Sequence, residues 1–177
     1  AYGNDFNNLM VPFRCVSSDV ASKKSVVFSS GDLQRSVRAS MTFPFYLNPI
    51  RVNGVLFFDG GLYNNFPANV MYQDFNPDYI IGSNVSSNAA PPDEGSLISQ
   101  LTNMMVSYQS FELPCEAGYI IEPVTNITTF EFEGVKKAID DGYHSALLYL
   151  DSIEVFVERK VSKEELQLKR KEFRSRI

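Results

Sequence analysis

Histidine occurs once, at His144, and cysteine twice, at Cys15 and Cys115, with no CxxC pair and no histidine beside either. That scarcity argues against a metal site or a dithiol redox centre, which need clustered ligands or closely spaced thiols. Both cysteines read as small buried hydrophobes, and His144, on an apolar-periodic stretch before Ala146-Leu147-Leu148, reads as a partly buried structural residue. No apolar run approaches the roughly 18 residues that cross a bilayer. The opening Ala1-Tyr2-Gly3-Asn4-Asp5 has neither the basic nor the apolar part of a signal peptide. Any targeting signal is therefore expected outside these residues. Apolar material is plentiful: 44% of the 177 residues are hydrophobic, enough for a real core, so disorder is not the default.

The net charge of −5 conceals an asymmetry. Eight of the sixteen basic residues fall between Arg159 and the end, opposed there by Glu164, Glu165 and Glu172. A basic helix of this kind is a solvated face or connector in the plain reading and a membrane-surface contact in the functional one. No aromatic residues interleave with the basic ones in the manner of a single-strand binding groove, so nucleic acid is not an expected partner.

Along the chain, Met10 to Ser17 and Ser25 to Ser29 are β-rich runs that read as two paired or neighbouring strands. Gly31-Asp32 supplies the stop and cap of a helix in which Leu33, Val37 and Met41 recur on one face, and Pro44 ends the pattern. Asn53-Gly54 predicts a tight hairpin, and Val55 to Phe58 a strand buried on both faces. Pro67 opens a short helix through Val70 and Met71. Tyr79 to Gly82 and Tyr119 to Ile121 are further strands. Between them, a polar loop from Ser86 to Gly95 precedes a helix that places Leu97, Leu101, Met104, Met105 and Tyr108 on one stripe. A long helix then directs Phe132, Val135, Ile139, Tyr143, Ala146, Leu147 and Leu150 inward and Asp140 and Asp141 to water. Ser162-Lys163-Glu164-Glu165 is a capping-box pattern for a charged last helix. Alternating strands and helices predict an α/β layered fold, and no nucleophile or cofactor loop stands near the start, so the chain reads as beginning mid-domain.

One carboxylate stands out. Asp59 ends four consecutive apolar residues and is followed at once by Gly60 and Gly61. This places a carboxylate at the open end of a strand, beside a backbone that can turn sharply and admit a close neighbour. There it is suited to accept a proton from a hydroxyl, as a general base does. The plainer alternative is a tight turn with a local Asx hydrogen bond.

Three blocks in series carry a resemblance: Pro12-Phe13-Arg14-Cys15-Val16-Ser17-Ser18-Asp19, then Gly31-Asp32-Leu33 to Val37-Arg38-Ala39-Ser40, then Asp59-Gly60-Gly61-Leu62-Tyr63-Asn64-Asn65-Phe66-Pro67. Together they resemble the patatin-like phospholipase family. The resemblance runs over roughly residues 10 to 150, closing around Phe132 and Asp141-Gly142-Tyr143. It implies a three-layer α/β sandwich with a mainly parallel central sheet, of which residues 1–155 are the C-terminal part and 156–177 a charged helix or connector.

The resemblance implies a lipid acyl hydrolase, a phospholipase or esterase, working through a Ser-Asp dyad without metal or cofactor. Asp59 takes the place of the aspartate in the family's DGA/DGG motif, here Asp59-Gly60-Gly61. The family's GxSxG serine elbow and glycine-rich oxyanion loop occur nowhere in these residues. The expected partners are thus an acyl-ester substrate and a missing N-terminal half that carries the serine. The alternative is a catalytically inactive patatin-like module that binds lipid or protein. Asp19, Asp32, Arg38 and Ser40 are assigned to capping and ion pairing, and Asn64 and Asn65 to the turn. Met41, Phe43, Phe45 and Tyr46 around Pro44 line an acyl pocket or fill the core. The last residues, Val161 to Ile177, resemble the connector in bacterial patatin-like proteins that continue into POTRA and outer-membrane barrel domains. That likeness favours a bacterial cell envelope, outer membrane or periplasm, with the cytoplasm as the alternative.

Overall fold

A computed structural model describes residues 4–88, 90–128 and 130–176. Four strands, β1 (Cys15–Asp19), β2 (Lys24–Phe28), β3 (Ile50–Val52) and β4 (Val55–Asp59), form a sheet in the order β2-β1-β4-β3. Every pairing in it is antiparallel. The expectation of a mainly parallel central sheet is therefore corrected: among the described residues the only parallel ladder joins β5 (Ile80–Ser83) to β6 (Gly118–Ile121). The cause is loop length. Two of the three antiparallel ladders are hairpins closed by short turns, which force that direction, whereas β5 and β6 are joined by a long crossover that carries a helix.

Both hairpins of the larger sheet are built by local chemistry. Between β1 and β2, Asp19 accepts the backbone N–H groups of Ala21 and Ser22 and the Ser22 hydroxyl. Between β3 and β4, Val52 faces Val55, leaving Asn53 and Gly54 as a two-residue loop with φ of 51° and 84°. Both central residues of a type I′ turn need positive φ, which is why Asn-Gly does this so well. β4 is less enclosed than its apolar run suggests. Phe57 is buried, in edge-on contact with Phe28 at 5.2 Å, while Val55 is exposed beside the turn.

Helix α1 (Leu33–Ser40) starts on Asp32, whose carboxylate accepts Arg35 N–H at 3.0 Å. The face it buries is not the predicted one. Ser36 and Ala39 lie inward, whereas Val37 and Met41 are exposed. Small side chains let the helix backbone rest directly on β1, and Ser40 Oγ donates to Val16 O at 2.6 Å; a stripe of larger residues would hold the two apart.

Pro67 caps α2 (Ala68–Phe75), which buries Ala68 and Val70 and ends on Asn76 in the left-handed region. Helix α3 (Leu97–Met105) stops before Tyr108, and its apolar stripe lies open, Met104 being 82% exposed. The predicted long helix is divided into α4 (Val135–Leu147) and α5 (Leu150–Glu154). Its apolar positions Phe132, Ile139, Tyr143, Leu147 and Leu150 face outward rather than inward. Periodicity gave these helices a correct apolar face, but periodicity alone does not supply a surface to cover it. Helix α6 (Lys163–Arg174) begins on Ser162, which accepts Glu165 N–H, and buries no residue. No helix among the described residues is long and apolar enough to cross a membrane.

Candidate active site

Asp59 is both the last residue of β4 and the cap of a single 3₁₀ turn, Gly60–Leu62. Its backbone N–H donates to Thr42 O at 2.9 Å, and its Oδ1 accepts Gly61 N–H at 2.8 Å. Strand end, turn and the loop after α1 thus fix the carboxylate from three sides. The turn passes so close to β1 that a Cβ on Gly60 would lie 2.3 Å from Val16 O. The local Asx hydrogen bond of the plain reading is present, and it leaves the second carboxylate oxygen with its acceptor capacity.

The carboxylate opens on a cavity of about 380 Å³. Asp59, Gly61, Leu62 and Asn65 form one wall, the Phe43-Pro44-Phe45 segment a second, Ser86 and Ser87 a third, and Thr102, Met105 and Val106 at the end of α3 the last. Asp59 is the one side chain of this lining that carries charge. Burial raises its pKa above the ordinary carboxylate range, and the Gly61 N–H pulls in the opposite direction. Among the described residues no ion pair includes it. Chemically, this is an acceptor-rich group in a partly apolar recess, short of water and short of counter-charge. Both circumstances increase its readiness to take a proton. A larger and more open groove, about 1250 Å³, runs along the outer face of α1, and its one carboxylate, Asp32, is occupied as the helix cap.

The other predicted positions have structural duties. Asp19 holds the β1–β2 turn and Asp32 caps α1. Among the described residues Arg38 makes no ion pair; its guanidinium donates to Thr42 Oγ1 and to Asn48 O. Asn64 donates to Asn69 Oδ1, and Asn65 N–H donates to Gln109 Oε1. Met41, Phe43, Phe45 and Tyr46 are exposed, Phe45 at 70% with a φ of 68°, which removes the core alternative for them. Phe43, which lines the cavity, packs with Tyr46 and Phe130 in an aromatic cluster, with ring centroids 4.0 to 5.6 Å apart. His144 is exposed beside Asp140 on α4 and is not among the residues that line the cavity. The cysteines are half-buried rather than enclosed, and burial pushes the Cys15 thiol up to about 11. Among the described residues no His, Cys, Asp and Glu cluster suits a metal ion.

Two residues matter here without having been singled out. Thr42 is fully buried, accepts the Asp59 N–H through its carbonyl, and donates its hydroxyl to Arg38 O. Gln109 is buried and joins the two sides of the cavity. Its Oε1 accepts Asn65 N–H, and its Nε2 donates to Leu62 O and Ser107 O. A buried glutamine between polar neighbours leaves no periodic trace; only its tertiary partners reveal it.

A strand-end aspartate on a double-glycine turn, in an α/β framework with one charged wall, defines the candidate site. Residues 11–72, which hold this motif, match the model of the family described as patatin-like phospholipase. Similar proteins agree. An uncharacterised NTE family protein of Mycobacterium tuberculosis is 26% identical over 162 residues, covering 76% of this chain and 28% of that protein. A patatin-like phospholipase domain-containing protein of Caenorhabditis elegans is 39% identical over 66 residues, 36% of this chain and 5% of that one. The neuropathy target esterase of Drosophila melanogaster is 33% identical over 82 residues, 45% of this chain and 6% of that enzyme. These matches make the chain similar to the patatin-like phospholipase family, most specifically over residues 11–72. It spans under a third of the length of the mycobacterial relative.

Proposed function

We propose that this chain supplies the general-base carboxylate of a lipid acyl hydrolase, Asp59 acting in a Ser-Asp dyad whose serine is carried outside these 177 residues. The observation that carries the reading is the placement of Asp59, the sole charge on the wall of a cavity otherwise lined by apolar and neutral groups. In the reaction, the serine hydroxyl attacks the ester carbonyl carbon and gives its proton to Asp59. Collapse of the tetrahedral species expels the alcohol, which takes that proton back and leaves an acyl-serine. A water then attacks the acyl carbon, again deprotonated by Asp59. The released serine oxygen recovers the proton, leaving the free fatty acid. Phe43, Phe45, Leu62, Met105 and Val106 in the cavity lining offer surface for the acyl chain.

The test is turnover of a p-nitrophenyl ester by the full-length parent protein, with and without Asp59→Asn. Loss of a general base is expected to lower turnover about 10²–10⁴-fold. Near-normal turnover in Asp59→Asn refutes the role and leaves the lipid- or protein-binding module. The envelope location and a membrane-surface contact belong to the same proposal and rest on the basic α6 segment. Fractionation of the source cell checks them, and recovery of the parent in cytosol alone removes them.

A further inference from the structure

Ser17 and Asp59 stand directly opposite each other in the β1–β4 ladder. Directly opposed residues of an antiparallel pair project from the same face, with Cβ atoms about 4.5–5.5 Å apart. The Ser17 side chain is completely buried, and among the described residues its Oγ has no hydrogen-bond partner. Buried hydroxyls in folded proteins are nearly always paired, because leaving one unmatched is costly. Neighbouring serines obey this rule: Ser18 Oγ donates to Gly60 O at 3.5 Å and Ser40 Oγ to Val16 O. Ser17 alone of the three is unmatched, and it is the one that shares a face with the carboxylate.

The chemistry of the two groups is complementary. An ionised carboxylate only accepts, and its Oδ1 already has the Gly61 N–H; a serine hydroxyl turns about a single bond and has one proton to donate. We infer that Ser17 is a positioning residue for Asp59: the two side chains lie within cross-strand reach but are not hydrogen-bonded as placed, and a turn about the Ser17 Cα–Cβ bond brings the hydroxyl to the ionised carboxylate, fixing the direction of its free lone pairs toward the cavity. This rests on the reading of Asp59 as the general base. Two donors from the chain's own framework, one a backbone amide and one a side chain, would hold a carboxylate that has no cationic partner among the described residues. The other titratable groups on that face are few. Cys15 lies two residues before Ser17. Asp19 lies two after it, opposite Lys24, its carboxylate occupied by the Ser22 hydroxyl and turn amides. The remaining cavity lining has no ionisable carboxyl, amine or imidazole.

Carbon-13 titration of the Asp59 carboxyl in this chain reads the contact directly, the signal being identified by its loss in Asp59→Asn. Ser17→Ala is expected to move the midpoint upward by on the order of one pH unit, because a hydrogen bond to the charged form is lost. Ser17→Thr, which keeps the hydroxyl, is expected to restore it. An unmoved midpoint in folded Ser17→Ala overturns the inference. If the alanine variant does not fold, Ser17→Cys, a weaker donor of similar size, should give a smaller rise, and no rise there overturns it equally. In the parent protein the acid limb of kcat/KM should shift with the same sign. Retained turnover in Asp59→Asn would instead remove the base assignment, a failure that the carboxyl titration distinguishes from that of Ser17.

Discussion

Replacing Gly60 with alanine tests how the candidate base is held. A methyl group at this position would stand 2.3 Å from Val16 O and 2.7 Å from Val16 C. Both are main-chain atoms of β1, a strand hydrogen-bonded on one side to β2 and on the other to β4. The contacts fall about an ångström inside ordinary van der Waals separation, and neither atom can rotate away as a side-chain tip would. Either β1 yields, disturbing two ladders, or the 3₁₀ turn lifts and takes the Asp59 cap with it. Overpacking of this kind costs about 1–3 kcal/mol. At about 2–4 °C per kcal/mol for a chain of this length, a mid-range cost lowers the melting temperature by about 4–8 °C. Gly142 provides the contrast, since it lies inside α4 and a Cβ there meets nothing within 4 Å. Gly142→Ala is expected to gain about 0.5–1 kcal/mol from helix propensity alone. Thermal unfolding followed by circular dichroism compares the two under one set of conditions. A Gly60→Ala protein that melts at or above the parental temperature refutes the claim that the turn is pressed against β1.

Other consequences are open to measurement. The folded state raises the Asp59 pKa through burial. Its contribution to stability is thus complete below the ordinary carboxylate pKa and is lost as pH rises through the raised value. Asp59→Asn is therefore expected to melt higher than wild type at pH 7 and equal to it in acid; a gain present at both pH values, or at neither, contradicts this. Asp32→Ala removes the acceptor of Arg35 N–H and should cost about 1 kcal/mol of stability in a urea titration, an unchanged midpoint being the adverse result. Cys15, with its thiol held near 11 by burial, should react with iodoacetamide at neutral pH more slowly than free cysteine, and parity by mass spectrometry would count against that environment.

How much was legible in the sequence depended on how local the determining physics was. The Asn53-Gly54 hairpin, the Asp32 and Ser162 caps and the Asp59-Gly60-Gly61 turn are each specified within a few residues, and each is present. The buried face of α1 was not legible, because hydrophobicity pointed to Leu33, Val37 and Met41 while close approach to β1 selected Ser36 and Ala39. Sheet direction also escaped, since a family likeness suggested parallel strands where two short hairpin turns enforce antiparallel ladders and β1 pairs antiparallel with β4 through non-local contacts. Burial along α3 and α4 depends on what lies across from each stripe, information that periodicity does not contain. At the site, the aspartate was readable from its strand and glycines. Ser17, Thr42 and Gln109 were not, because their significance lies in partners 42, 17 and 44 residues away in the chain.

Gln109 makes the aperture of the recess a quantity separate from its acidity. One buried carboxamide ties the glycine turn to the segment beyond α3, beside the direct bond from Ser107 N–H to Leu62 O at 2.8 Å. The proton affinity of Asp59 is governed elsewhere, its own desolvation raising it and the Gly61 amide lowering it, with the Ser17 hydroxyl inferred to act on the same group. Changes at Gln109 are thus expected to act on how these two segments are held together rather than on the carboxylate itself, which gives the shape of the recess and its acidity separate routes of variation.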